Sequence, residues 1–329
     1  MNLYKLVLLP CLIFFACKND TPVQPQEIKI QTPINREKME PPKSNATVQA
    51  NQNPQVAVEE DNSAPKGEPR TVTVSTVEEL VANAKSNTTM YLEKGNYVLE
   101  ADKVYYMTKD EQRIIDKRLE ESQNAGGQLY INGLDNFQII GKSGAQIVSK
   151  NPNAVVLFMV LGKNLKVSNL SIKNDTDSKF DLGYFSNNQN VELDRCKFVG
   201  GGAYGIYVSN TEVMKVNNSL INGCTKGAVR VLNSRGVTFM NTTISNNNPS
   251  IPLVNFYATG SFVTFKNVSI IDNKRNPAST FQNSERLFAV GNNTMILEDC
   301  VIQNNAGYKT LGVGPNNVKR CQIQGVSVP

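Results

Sequence analysis

Four residues at nearly even spacing in the C-terminal half of the chain have side chains that could bind a sugar: Tyr184, Tyr207, Arg230 and Asn255. Tyrosine rings can stack on sugar rings, and the arginine fork matches the geometry of a carboxylate. If each residue lies on its own strand of one sheet, they form a strip about 15 Å long. We therefore predict a ligand-binding strip. The alternative is four solvated residues with no shared role, because sheets favour aromatic residues anyway.

The same strip could also perform chemistry. A lyase acting on an acidic glycan needs a cation to neutralise the sugar carboxylate and a base near the proton that is removed, and Arg230 with Tyr207 could supply these roles. Hydrolysis would need paired carboxylates on neighbouring strands, which the pattern lacks. We favour a carbohydrate-binding or structural surface module over an enzyme, and keep a metal-independent polysaccharide lyase as the alternative.

Metal and cofactor sites are not predicted. The sequence contains no histidine, which excludes a Ser-His-Asp triad and a histidine zinc site. Asp175, Asp177 and Asp181 are close in sequence and could bind a hard cation, but they fall on an irregular loop. The formal net charge is +5 and the basic residues are scattered, so no nucleic-acid partner is expected.

The first residues have the pattern of an export signal. One lysine precedes an apolar run, Leu6 to Phe15, that is too short to span a bilayer. The run ends in Phe15-Ala16-Cys17, which resembles the lipobox of bacterial lipoproteins. That resemblance implies a signal peptide over residues 1–16, acylation of Cys17 and an anchor in membrane lipid. We expect a location in the cell envelope, at the outer membrane; ordinary signal cleavage without lipid is the alternative.

A polar spacer is predicted to follow. Residues 17–70 begin with the lipidated cysteine and are rich in Pro, Gln, Asn, Lys and Glu, with few aromatic residues. Such a segment cannot bury enough apolar area to offset its ordering entropy. We expect a flexible connection that holds the folded body, residues 71–329, away from the membrane.

A short pattern of apolar residues recurs from Leu165 onward at intervals of 21 to 32 residues. Within each repeat the period is two, which predicts strands, and two turn residues interrupt it at a corner. A third short strand precedes each pair. The predicted inward positions include Leu165-Val167-Leu170-Ile172, Val191-Leu193-Cys196-Phe198, Met214-Val216-Ser219-Ile221, Val237-Phe239-Thr242-Ile244, Val263-Phe265-Val268-Ile270, Met295-Leu297-Cys300-Ile302 and Val318-Cys321-Ile323.

The corners carry residues that tolerate a left-handed backbone. At the first corner these are Asn169, Arg195, Asn218, Asn241, Asn267, Asp299 and Arg320. At the second they are Asn174, Gly200, Gly223, Asn246, Asp272, Asn304 and Gly325. Three short strands per repeat with corners in register predict an all-β fold, a parallel β-helix of about eight coils.

The residues resemble those of the right-handed parallel β-helix proteins of the pectate-lyase-like superfamily, over about residues 71–328. The asparagine ladder at a corner and the opening segment from Ser75 carry the likeness. In the polysaccharide enzymes of that group the substrate lies across the strand that precedes the ladder corner. Tyr184, Tyr207, Arg230, Asn255 and Ala289 hold the outward positions there. The calcium-binding carboxylates of the pectate lyases have no visible counterpart, so the resemblance implies fold more than activity.

Two capping boxes predict helices. Ser75 with Glu78 opens a short helix that caps the N-terminal end of the β-helix. Thr108 with Glu111 predicts an inserted helix to about Ser122, packed outside the barrel or acting as a lid over a groove.

The cysteines of the body follow no metal-binding spacing. Cys196, Cys300 and Cys321 share one inward column and are expected to fill the core as small apolar side chains. Cys300 and Cys321 fall in adjacent coils, which leaves open whether they form a disulfide.

Overall fold

The computed structural model describes residues 67–116, 126–176, 178–279 and 285–329. The signal peptide, Cys17 and the spacer up to residue 66 lie outside the described residues. The folded part is almost entirely β-structure, with one short α-helix, α1 (Val77–Ala82), and one turn of 3₁₀ helix (Pro315–Asn317) among the described residues.

The strands follow one another with short connections. The N-terminal strands are β1 (Arg70–Val74), β2 (Thr88–Leu92), β3 (Gly95–Leu99), β4 (Lys103–Thr108), β5 (Gln112–Asp116), β6 (Gln128–Asn132), β7 (Gln138–Gly141), β8 (Ala145–Ser149) and β9 (Leu157–Val160). The central strands are β10 (Lys163–Ser168), β11 (Ser171–Asn174), β12 (Gly183–Ser186), β13 (Gln189–Asp194), β14 (Lys197–Gly200), β15 (Tyr204–Ser209), β16 (Met214–Asn217), β17 (Leu220–Asn222) and β18 (Gly227–Leu232). The C-terminal strands are β19 (Val237–Met240), β20 (Thr243–Ser245), β21 (Val254–Tyr257), β22 (Phe262–Lys266), β23 (Ser269–Ile271), β24 (Phe288–Ala289), β25 (Thr294–Glu298), β26 (Val301–Gln303), β27 (Val318–Lys319) and β28 (Gln322–Ile323).

These strands form three parallel sheets that run the length of the body. The first sheet has the order β1-β2-β7-β10-β13-β16-β19-β22-β25-β27, the second β3-β8-β11-β14-β17-β20-β23-β26-β28, and the third β5-β4-β6-β9-β12-β15-β18-β21-β24. From β7 to β26 the chain visits the three sheets in turn, once per coil. The prediction of a parallel β-helix with three short strands per coil is confirmed.

The core is a stack of inward side chains between the three sheets. The predicted inward positions from Leu165 to Ile302 are all buried, and Val318, Cys321 and Ile323 pack against them at the C-terminal end. Ile221, Ile244 and Ile270 illustrate the stacking, since they pair in register on three successive strands of the second sheet. The period of two therefore placed the buried side chains on the correct face.

The corners have the predicted backbone conformation. All the residues predicted at the first corner have φ near +52°, from Asn169 (52°) to Arg320 (52°). At the second corner Asn174 is the exception: it is absent from the positive-φ residues, and its Oδ1 accepts hydrogen bonds from the Thr176 amide and hydroxyl instead. At the first corner, Asn267 donates to Asn241 (2.8 Å) and Asn241 to Asn218 (3.2 Å).

Two further asparagine ladders were not predicted. At the corner between the third and first sheets, Asn190, Asn164, Asn136 and Asn87 are linked by hydrogen bonds of 2.8 Å. At the second corner the buried residues Asn247, Asn273 and Asn305, each directly after a predicted corner residue, hydrogen-bond to one another. Their side-chain amides provide hydrogen-bond partners for buried backbone groups between the coils.

The N-terminal helix is present, but its cap is one residue later than predicted. Thr76, not Ser75, is the N-cap, and its Oγ1 accepts the Glu79 N–H at 3.1 Å. The Glu79 carboxylate accepts from the Ser75 N–H at 2.7 Å, which completes the reciprocal arrangement in place of Glu78.

The predicted inserted helix from Thr108 is wrong over the residues that the structure describes. The chain forms a hairpin there, in which β5 pairs antiparallel with β4 and matches Tyr106 with Arg113. The Thr108 hydroxyl still accepts the Glu111 N–H (3.0 Å), but it closes the hairpin turn instead of starting a helix. The β-branched and aromatic residues of β4 and β5 favour strands, and an open edge of the third sheet was available for pairing. Residues 117–125 lie outside the described residues.

The cysteines fill the core as predicted. Cys196 and Cys300 are buried members of the main hydrophobic cluster, and Cys321 packs against it at the C-terminal end. The Cys300 backbone N–H lies 3.4 Å from the Cys321 sulfur, and both thiols are free.

Candidate functional site

The outward face of the third sheet aligns the predicted site residues in one column. The Cα register pairs Tyr184 with Tyr207, Tyr207 with Arg230, Arg230 with Asn255, and Asn255 with Ala289. The structure therefore brings together all the residues predicted for the strip.

The same column continues toward the N-terminus through aromatic residues that the sequence interpretation missed. Tyr184 pairs with Phe158, Phe158 with Tyr130, and Tyr130 with Tyr106. We call the residues Tyr106, Tyr130, Phe158, Tyr184 and Tyr207 the aromatic column. With Arg230 it spans five strand steps, or about 24 Å.

Neighbouring rings of the aromatic column are in contact. Ring centroids are separated by 5.7 Å between Tyr106 and Tyr130, 5.3 Å between Tyr130 and Phe158, 4.7 Å between Phe158 and Tyr184, and 4.6 Å between Tyr184 and Tyr207. The first two pairs are edge-to-face and the others are tilted by 44°. These contacts hold the rings in place and leave a continuous, partly exposed aromatic surface.

Arg230 lies at the end of the column and is surrounded by the rings of Tyr204, Tyr207 and Tyr257. We call these four residues the arginine box. The Arg230 guanidinium carbon lies 4.2 Å from the Tyr257 ring centroid, 4.7 Å from Tyr207 and 5.7 Å from Tyr204. The buried Nε atom has no hydrogen-bond partner among the described residues. The cation is therefore held in place by cation–π contacts with the three rings.

A second arginine lies at the opposite end. The Arg113 guanidinium carbon is 5.3 Å from the Tyr106 ring centroid, and its Nε pairs with Glu111 at 2.9 Å. The aromatic column thus has a guanidinium at each end, but the charge of Arg113 is partly neutralised by its ion pair.

Asn255 supports the site from below. It is 5% exposed, and its side chain hydrogen-bonds to the hydroxyl of Tyr204. Tyr204 is itself buried, in a small apolar cluster with Ala203 and Ile251. In this structure Asn255 orients one wall of the arginine box, whereas Tyr184 and Tyr207 are part of the outward surface.

Tyr204 and Tyr207, which lie beside Arg230, keep their protons at neutral pH. Burial raises the pKa of Tyr204 to about 12, and burial also raises the pKa of Tyr207, although the nearby Arg230 charge partly offsets both shifts. The Tyr207 phenol can therefore donate a hydrogen bond to a ligand, but it is poorly suited to remove a proton from one.

A partly buried carboxyl group, that of Asp181, interacts electrostatically with Arg230. Burial raises the pKa of Asp181 to about 6, and the Tyr204 N–H, Arg230 and Lys226 offset only part of this effect. The Asp181 Oδ1 accepts the Tyr204 backbone N–H at 3.2 Å. Asp181 was considered from the sequence as a cation ligand with Asp175 and Asp177; it serves here as an acceptor that fixes the start of β15.

Replacing Asp181 with asparagine should stabilise the protein at pH 7. Because the folded-state pKa is raised from 3.8 to about 6, the folded protein binds more protons than the unfolded chain between these values, so stability falls as pH rises through this window. The introduced amide keeps an acceptor for the Tyr204 N–H without ionising, and the expected gain at pH 7 is about 2 kcal/mol, vanishing near pH 4. Denaturant unfolding across pH 4 to 7 measures it, with the exposed Asp272→Asn as control. A gain that is equal at both pH values would contradict the assignment.

Metal ligands are not gathered at this face. Within residues 67–329, apart from the three undescribed stretches, no group of three or more Cys, Asp or Glu residues is placed to hold a metal ion. Asp175 forms an ion pair with Lys173, and Asp177 lies outside the described residues.

A shallow cleft of about 490 Å³ adjoins the N-terminal end of the aromatic column. Tyr106 and Tyr130 line one side, the hairpin turn from Thr108 to Glu111 lines another, and the corner residues Gly133 and Leu161 complete it together with Asn132. Sequence reasoning missed this cleft because it depends on the hairpin.

Three stacked parallel sheets and the asparagine ladders at their corners define a parallel β-helix domain. The chain belongs to the right-handed β-helix family, whose model matches residues 156–323. None of the helices in the described part of the chain has the length and apolar character needed to cross a bilayer.

Solved structures with similar folds include the ORF18 protein of Geobacillus virus E2, with 12% identity, a TM-score of 0.47, and coverage of 76% of this chain and 46% of that one. This chain thus spans less than half of that protein. A pectate lyase matches with 11% identity, a TM-score of 0.48 and 78% of each chain. The A-module of the mannuronan C-5 epimerase AlgE4 from Azotobacter vinelandii matches with 11% identity, a TM-score of 0.28, and 77% and 93% coverage. No curated protein sequence matches the chain.

Proposed function

We propose that the outer face of the third sheet binds a polysaccharide, with the aromatic column as a platform and Arg230 as the group that recognises an acidic sugar. The observation that carries the proposal is the unbroken outward column of aromatic rings that ends on a guanidinium held by three tyrosines.

The fold itself does not require aromatic residues at these positions. The corresponding outward column of the first sheet contains polar and charged residues over six successive strands before it reaches Ile296, namely Gln138, Lys166, Glu192, Lys215, Thr238 and Thr264. Both columns face outward from the same core, so coil stacking alone does not explain the difference between them. Contact with a partly apolar ligand, such as a sugar ring, would explain why aromatic residues occupy the third sheet.

Arg230 is suited to a ligand carboxylate. No carboxylate among the described residues lies within ion-pair distance of it, and its side chain is half-buried among the rings. A guanidinium fixed in this way loses little side-chain entropy when it forms a charge-assisted pair with a ligand. In this proposal the domain acts at the cell envelope, held through a lipid on Cys17, as the N-terminal residues Phe15-Ala16-Cys17 suggest.

Variants of the column should weaken binding without unfolding the protein. A glycan array identifies a ligand, and calorimetry then measures its affinity. We expect Arg230→Gln to raise the Kd of an acidic glycan roughly thirtyfold, because a hydrogen-bonded pair with a charged group contributes about 2 kcal/mol. Tyr184→Ala should weaken the binding of acidic and neutral glycans alike, since it removes stacking area from the centre of the aromatic column.

Matched controls are available on the first sheet. Tyr91→Ala removes an outward tyrosine, and Lys215→Gln removes an exposed cation; neither touches the aromatic column. Their affinities should equal that of the wild type. If Arg230→Gln and Tyr184→Ala also leave the affinity unchanged, the third sheet is not the binding face.

The alternative function is a metal-independent lyase acting on an acidic glycan. It is favoured by the position of the Arg230 guanidinium carbon, 4.7 Å from the Tyr207 ring centroid, which brings the two candidate residues into contact. The raised pKa of Tyr207 opposes it, because a protonated phenol is a weak base. Unsaturated sugar products, detected by ultraviolet absorbance and lost in Arg230→Ala, would establish the lyase; binding without product would establish the module.

A further inference from the structure

We propose that the cleft beside Tyr106 and Tyr130 is a second subsite, specific for an uncharged pyranose unit. This inference rests on the proposed function, because it places a neutral sugar on the glycan whose acidic unit contacts Arg230. The two sites are distinct in position and in chemistry. Tyr130 and Arg230 are four strand steps apart, or about 19 Å, a distance that an oligosaccharide spans and a single sugar does not.

The cleft is a notch in the corner between the third and first sheets. Equivalent positions of this corner are held by Lys109, Gly133, Leu161 and Asn187. Backbone hydrogen bonds connect the coils there: the N–H groups of Lys109, Gly133 and Leu161 donate to the carbonyls of Asn132, Val160 and Ser186, respectively. Gly133 has no side chain, so the surface dips between Lys109 and Leu161. A Cβ placed on Gly133 would meet only the Lys109 Cβ, at 3.5 Å, which is ordinary contact.

Leu161 is an unusual residue for its position. Its φ is 56°, in the left-handed region, whereas the next coils have Asn187 (53°), Asn210 (46°) and Asn233 (44°) there. Asparagine tolerates this backbone and leucine does not favour it. The Leu161 side chain is also 60% exposed, so it gains little from burial. A strained backbone that displays an apolar side chain over a cleft is the arrangement expected at a ligand contact.

The lining of the notch matches a neutral sugar. Leu161 and the two tyrosines supply apolar surface for the carbon–hydrogen face of a ring. Lys109, Asp110, Glu111 and Asn132 supply donors and acceptors for its hydroxyls. Their opposite charges nearly balance, and Glu111 is already paired with Arg113, so the notch presents no net charge that would select an acidic unit. The cleft volume of about 490 Å³ is within the usual range for small-ligand sites.

Two substitutions test the subsite with side chains that the fold accepts at this corner. Leu161→Asn removes the apolar contact and relieves the backbone strain, as at Asn187. Gly133→Asn fills the notch and retains a residue that tolerates φ of +68°. Asn187→Gly, in the coil beyond the cleft, is the control. The probes are neutral gluco-, galacto-, manno- and xylo-hexasaccharides and a uronic-acid hexasaccharide, titrated by calorimetry into the full protein.

We expect at least one neutral hexasaccharide to bind, and its affinity to fall at least tenfold in both Leu161→Asn and Gly133→Asn but not in Asn187→Gly. The melting temperature of Leu161→Asn should equal or exceed that of the wild type, which separates lost contact from lost folding. The subsite is overturned if no neutral probe binds, or if either lining variant binds as the wild type does. A weakened uronic-acid complex in Arg230→Gln would leave the proposed function standing in that case.

Discussion

Ile244→Asp should abolish the cooperative stability of the β-helix. Ile244 is fully buried and pairs in register with Ile221 on one side and Ile270 on the other. A carboxylate at this position would lie between apolar side chains with no cation to pair with, and the loss of packing adds to the cost of desolvation. We expect a loss of about 5 kcal/mol, which is a large share of the stability of an ordinary domain.

The control for this prediction is Thr243→Asp. Thr243 is adjacent on the same strand but faces outward between Leu220 and Ser269, so the same charge remains in water. Chemical denaturation followed by circular dichroism should show a small change for Thr243→Asp and a collapse of the transition for Ile244→Asp. Similar midpoints for the two variants would mean that the inward register of this strand is wrong.

The period of two and the corner residues were sufficient to predict the fold. In a stacked solenoid each coil repeats the environment of the last, so a weak pattern in one coil becomes a strong one over seven. The predicted left-handed corners succeeded for a physical reason: Asn, Asp and Gly are the residues that adopt positive φ at little cost. Arg195 and Arg320 were placed correctly by register alone.

Local capping signals were less reliable. Thr108 and Glu111 satisfy the pattern of a capping box, yet the same hydroxyl-to-amide bond closes a hairpin turn. The outcome was decided by the open edge of the third sheet, to which β4 contributes an outward tyrosine and an inward Met107. Tertiary pairing of this kind is invisible to a signal that spans four residues.

The candidate site was half predicted. Tyr184, Tyr207 and Arg230 lie within the repeat recognised from Leu165 onward, whereas Tyr106, Tyr130 and Phe158 precede it. A local signal did exist: an aromatic residue between two buried apolar ones, as in Leu129-Tyr130-Ile131. The arginine box could not be predicted, because Tyr204 and Tyr257 reach Arg230 from neighbouring coils only once those are stacked.

The buried asparagine ladder explains why such a narrow solenoid keeps its register. Inward apolar columns tolerate exchange among Leu, Ile, Val and Phe. They therefore determine which residues are buried, but not how one coil is positioned relative to the next. The side-chain amides of Asn247, Asn273 and Asn305 bond to one another between neighbouring coils, and each donates to a backbone carbonyl of the preceding coil. Directional bonds in a buried environment fix the relative position of neighbouring coils, which apolar packing alone does not.

Asn273→Leu should therefore destabilise the protein by about 4 kcal/mol, although leucine is apolar and of similar size. The Asn273 Oδ1 accepts from the backbone N–H (3.1 Å) and Nδ2 (2.8 Å) of Asn247, and its Nδ2 donates to the carbonyls of Ile244 (3.0 Å) and Ile271 (3.1 Å). Leucine leaves these buried groups unpaired. Asn246→Gly, at an exposed position with φ of 52°, is the control and should be nearly neutral. Equal unfolding free energies for Asn273→Leu and the wild type would show that apolar stacking alone sets the register.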